Sequence, residues 1–84
     1  MSRKDKLLGR LCERPRDFSW SDTCTLMKQC DFKLYMREGS RRLFRHAVSK
    51  QKVIMHEPHP EPVLKQYQID DLIQALKDAG EIAK

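Results

Sequence analysis

What this chain lacks narrows it quickly. No apolar run approaches the ~18 residues that a membrane-spanning helix needs, so no membrane association is expected. The opening Met-Ser-Arg-Lys-Asp-Lys has no long apolar stretch behind it and does not read as a secretory signal. Cysteine is sparse and odd in number: Cys12, Cys24 and Cys30 argue against a disulfide framework. They read as reduced thiols, mostly core filler, of a cytoplasmic protein. There is no glycine-rich phosphate loop, no Ser-His-Asp logic, no carboxylate cluster suited to two-metal hydrolysis, and no internal repeat.

Eighty-four residues make one domain with a thin core. Such a chain has no room for a large catalytic cavity. An active site on it should lie on an open surface and take an extended ligand.

What the chain has is basic charge, unevenly placed. It carries 17 Lys+Arg against 12 Asp+Glu, a formal net charge of +5. Residues 1–16 hold six basic and two acidic side chains; residues 32–56 hold seven and one. The remaining segments are mildly acidic. Two basic blocks suggest a polyanionic partner, set against the plainer reading of a solubilising surface.

The pattern predicts five elements behind a short leader. Residues 4–13 (KDKLLGRLCE) make a short helix with Leu7, Leu8 and Leu11 on one side, weakened by Gly9 and stopped by Pro15. Ser19 is a good N-cap, with Asp22 in the capping-box position, so a helix runs from about Trp20 to Gln29. Phe32, Leu34 and Met36 alternate with Lys33, Tyr35 and Arg37, which is a strand. Glu38-Gly39 is a turn, "SRRLFRHA" a second strand and "KVIMH" a third. The proline-rich "EPHPEP" cannot be helix or central strand. Ile69, Leu72, Ile73 and Leu76 mark an amphipathic helix over roughly 65–79, ended by Gly80.

Antiparallel strands with both helices on one face form an α+β layer and leave the other sheet face open. Lys33, Tyr35 and Arg37 belong to that face. Leu43 and Phe44 are adjacent and cannot both face the core; Phe44 inward sends Arg41 and Arg45 outward. A basic, aromatic face suits a nucleic-acid backbone, and Tyr35 is its stacking candidate. Trp20 reads as core, and Asp70-Asp71 as the solvated face of the last helix.

The leader ending in "RPRDFSWSD", the Gly-Ser turn before "RRLF", the third strand ending in "HEPHP" and the closing "LKQYQIDDLIQAL" together resemble HicA-type toxins. The resemblance covers about residues 5–80. It implies a double-stranded-RNA-binding-domain-like fold, α-β-β-β-α, with residues 1–16 as a basic helical extension and 17–84 as the domain. It also implies mRNA cleavage and neutralisation by a HicB-type antitoxin. In the common branch, a histidine after the Gly-Ser turn carries the catalysis; here that position is Arg41.

RNA cleavage by its own 2′-hydroxyl needs one proton removed and one supplied. Histidine can do both because its pKa lies near ~6.5. Arginine does not give up its proton at neutral pH, but it holds phosphate and supports developing charge. The candidate catalytic set is therefore His56, then His59, with Arg41 at the family's histidine position; His46, at a strand end, reads as structural or exposed. Lys33, Tyr35, Arg41, Arg42, Arg45 and Lys52 would hold RNA. Ser40 would close the turn or touch phosphate. The competing readings are a solvated arginine face and histidines that satisfy loop hydrogen bonds or antitoxin contacts. Cys24, Cys30, His56 and His59 give C-x5-C and H-x2-H, which is not zinc-finger spacing, so neither metal nor cofactor is expected. The reading is an mRNA interferase; its alternative is a non-catalytic RNA-binding or antitoxin-binding domain of the same fold.

Overall fold

The computed structural model describes residues 3–59 and 61–82. The first two residues of the basic extension and Pro60 of "HEPHP" lie outside the described residues. The order is α1 (Arg3–Cys12), α2 (Trp20–Gln29), β1 (Phe32–Met36), β2 (Arg41–His46), β3 (Lys52–His56) and α3 (Gln66–Asp78). The strands form one antiparallel sheet in the order β1-β2-β3, with β2 in the centre. Helix α2 packs on β1, α3 packs on β3, and α1 lies against both helices. This is the expected α+β arrangement of three antiparallel strands flanked by helices. No helix among the described residues is long and apolar enough to cross a membrane.

Local chemistry explains the boundaries. Ser19 caps α2: its Oγ accepts from the Asp22 amide at 3.0 Å. The Asp22 carboxylate does not return the bond to Ser19, because Arg10 of α1 takes it at 3.2 Å. Half of a capping box has become a tether between two helices. Lys65 and Ala79, expected inside α3, are its caps instead. Gly80 adopts φ +82°, a left-handed conformation that costs glycine little. It completes a Schellman motif in which Gly80 donates to the Lys77 carbonyl and Glu81 to the Leu76 carbonyl.

The core joins Phe18 and Leu26 to Phe44 of the sheet, Ile69, Leu72 and Leu76 of α3, and Leu11 of α1, all almost wholly buried. Trp20 packs tilted on Phe44 with ring centroids 5.6 Å apart, so it is a core residue, as expected. Cys30 is buried in this core, Cys24 packs against it, and Cys12 is exposed. Burial pushes the Cys24 thiol up, helped by the Glu57 carboxylate and opposed by Arg42. The raised value keeps the thiol protonated at neutral pH. Its stabilising contribution is full below the unfolded-state pKa and is lost as pH climbs through the folded value.

Two predictions test this packing. Gly9 sits inside α1 with nothing within 4 Å of where a Cβ would be. Gly9→Ala should therefore stabilise the chain by about 0.5–1 kcal/mol in urea unfolding, through helix propensity alone. Alkylation followed by mass spectrometry at pH 8 should label Cys12 first and Cys24 later, with Cys30 reached only on unfolding.

Candidate functional site

Strand alternation and the pairing register build the open face rung by rung. Lys33, Arg45 and Lys52 are register partners across the three strands. The next rung is Tyr35, Leu43 and Ile54. The third pairs Arg41 with His56, and the Arg37 amide donates to the Arg41 carbonyl beside them. The face thus reads cationic, apolar, cationic. Lys33, Tyr35, Arg41, Arg45, Lys52 and His56 are all exposed on it. Leu43 is only 8 % exposed although it lies outside the core cluster, because its place on the central strand sets it between Tyr35 and Ile54.

Arg42 does not join this group. It shares the parity of Phe44 and so turns to the helix-covered face, where its side chain is 14 % exposed. An inward guanidinium needs partners, and Arg42 has three: Nε donates to Glu57 at 3.2 Å, and Nη1 donates to the Gly39 and Arg41 carbonyls at 2.9 and 3.0 Å. It clamps the Gly-Ser turn. Gly39, at φ +60°, supplies the left-handed residue of that turn, which the Arg41 amide closes onto the Glu38 carbonyl.

His46 also turns inward and is 4 % exposed. Its Nδ1 accepts from the Ser49 amide at 3.0 Å, so Nε2 carries the hydrogen and donates to Glu81 at 3.1 Å. Its ring meets Phe32 edge-on at 5.0 Å. His46 is structural. Among the described residues, the one group of three metal-ligating side chains is Asp31, His46 and Glu81. There Nε2 offers a hydrogen and not a lone pair, which does not suit a cation. Cys24, Cys30, His56 and His59 do not gather as a ligand set.

Where the Gly-Ser turn meets the end of β3, the surface opens into a cleft of about 690 Å³ lined by Ser40, His56, His59, Tyr67 and Gln68 among others. The Ser40 hydroxyl lies 3.2 Å from His56 Nδ1. A hydroxyl can donate to or accept from that nitrogen, so His56 can hold its free Nε2 either as base or as acid. The backbone under His56 is fixed from two sides. The Glu57 amide donates to the Ser40 carbonyl at 2.8 Å. Gln68, 3 % exposed, donates to the His56 carbonyl at 2.9 Å while its Oε1 accepts from the Lys65 amide at 3.0 Å.

The structure therefore brings Ser40, Arg41, His56 and His59 to one corner of the sheet. Lys33, Tyr35, Arg45 and Lys52 lie on the same open face, and Arg42 lies behind it. Sequence reasoning missed Gln68 and Arg16, a cation that lines the cleft together with Lys65. Gln68 had a signal, a Gln three residues after an N-cap. Arg16 had none.

No curated protein and no solved structure matches this chain. The family model of the HicA toxin of bacterial toxin–antitoxin matches residues 20–81, which span α2, the whole sheet, α3 and all of the cleft but Arg16. With that match over most of its length, the chain belongs to the HicA family and is the toxin of a toxin–antitoxin system, with an antitoxin as its partner.

Proposed function

We propose that this toxin is an mRNA interferase that binds single-stranded RNA across its open sheet face and cleaves it at the Ser40–His56 corner. One observation carries the reading. Arg41 holds the position where the resemblance implies a catalytic histidine, and His56 is its register partner on the neighbouring strand. Directly opposed residues in an antiparallel pair have Cβ atoms about 5 Å apart. An imidazole on β3 can therefore serve the phosphate that a histidine on β2 would have served.

The chemistry follows. Lys33, Arg45 and Lys52 hold the backbone, and Tyr35 offers a stacking face to a base. His56 Nε2 takes the proton of the 2′-hydroxyl, whose oxygen attacks the adjacent phosphorus. Arg41 lies against the phosphorane and stabilises its charge. The bond to the 5′-oxygen breaks, and His59 or the protonated His56 supplies the proton that oxygen needs. The products are a 2′,3′-cyclic phosphate and a 5′-hydroxyl end. Protein side chains meet every proton demand in this scheme, and no metal is called for. A HicB-type antitoxin would neutralise the toxin by covering the same face.

Arg41 also favours a second reading, in which the face binds RNA or antitoxin without cutting. Incubating purified protein with a long mRNA in EDTA separates the two. Cleavage should proceed and leave 5′-hydroxyl ends that polynucleotide kinase labels without prior phosphatase. His56→Ala should slow it by at least about tenfold, since a general acid–base group typically contributes ~10²–10⁴-fold. A substrate carrying 2′-deoxyribose at the cut site should stay whole. Intact RNA after prolonged incubation with the unaltered protein would favour the binding-only reading.

A further inference from the structure

The family match begins at residue 20, so α1 and the turn after it lie outside the shared domain. Yet this extension is bolted in place. Leu11 is fully buried, and Arg10 pairs with Asp17 at 2.9 Å and with Asp22 of α2. Arg14 meets Asp70 of α3 with two parallel bonds, Nε to Oδ1 at 2.8 Å and Nη2 to Oδ2 at 2.9 Å. The next residue is held too, since Gln66 Nε2 donates to the Pro15 carbonyl at 3.0 Å. Arg14 adopts φ +54° in the turn that ends α1, where its amide donates to the Leu11 carbonyl at 2.9 Å. Two successive residues of the leader are thus strapped to the first turns of α3.

What the strap delivers is Arg16. Arg16 lines the cleft that holds Ser40, His56 and His59, is exposed, and forms no ion pair with any described residue. The two carboxylates on that cleft do not cancel it. Glu57 is engaged by Arg42, and the charge of Glu61 is matched in number by Lys65, which lines the same cleft. We infer that Arg16 is an RNA phosphate-binding residue of the cleft, supplied by the leader and positioned by the Arg14–Asp70 and Pro15–Gln66 contacts. The inference rests on the RNA-binding reading above. It extends the path of the RNA from the sheet, past His56, to the start of α3. The phosphate next to the one being cleaved would then be gripped by a residue the family domain does not contain.

The test uses the full chain and a labelled 2′-O-methyl RNA of about twenty nucleotides, which cannot be cut, with affinity measured by fluorescence anisotropy across a salt series. Arg16→Ala should weaken binding several-fold and flatten the dependence of log K on log salt by about 0.7, the loss of one single-strand phosphate contact. Asp70→Asn separates positioning from bulk charge. It makes the chain one unit more positive, so bulk attraction alone would tighten binding, whereas a lost strap loosens it. We expect looser binding, and the uncharged change Gln66→Ala should move affinity the same way. If Arg45→Ala weakens binding while Arg16→Ala does not, or if Asp70→Asn tightens it, the role of Arg16 is wrong and the RNA reading stands. If the unaltered chain does not bind the RNA at all, both fail together.

Discussion

Phe44 lies on the central strand, 1 % exposed, with Trp20 of α2 against its ring. Removing such a side chain from a core typically costs ~3–5 kcal/mol, a large share of what a domain this small can hold in reserve. Side chains on a strand alternate strictly, so burying Phe44 fixes the parity of all of β2. Arg41, Leu43 and Arg45 go to one side; Arg42 and His46 go to the other. A slip of one residue would put a phenylalanine in water and two unpaired guanidinium groups in the core. One aromatic contact therefore determines which cations are free to meet a ligand and which are consumed by the fold.

The consumed ones are informative. Arg42 and His46 sit on the covered face, and each is hydrogen-bonded there. Arg42 closes the turn that carries Ser40. His46 reaches Glu81, which the Schellman turn at Gly80 brings back toward the sheet. In both cases a buried polar group needs a partner, and the partner it finds ties a connecting segment to the sheet. The same economy governs Gln68. Its one buried amide joins the start of α3 to the end of β3 and so holds the His56 backbone still.

Periodicity made most of this fold legible. The α2 and β3 boundaries follow directly from Ser19 and from the run KVIMH, and α3 differs from expectation only by its two caps. The outward placement of Arg41 and Arg45 also follows from Phe44 alone. The same alternation carries Arg42 inward, two residues from Phe44, and a block of adjacent arginines obscured that consequence. Arg16 was legible in no local pattern. Its position depends on Arg14 meeting a carboxylate 56 residues away, a contact that no spacing rule encodes. The Ser40–His56 contact lies between these cases, since a hairpin and a third strand imply proximity but not which atoms touch.

In the proposed reading Arg41 stands where the resemblance implies a histidine, and its neighbours on the sheet supply what an arginine cannot. A sheet face does not distinguish the strands that supply its groups; it presents positions. Replacing a histidine by an arginine at one position removes proton transfer and adds a permanent charge. With an imidazole directly across the ladder, and a serine hydroxyl already on its Nδ1, both roles remain within one rung. In the proposed reaction the arginine stabilises the charge that the histidine's base chemistry creates, which is the division of labour that a phosphorane requires. On that reading the groups that RNA cleavage needs are present on the face, distributed over two strands.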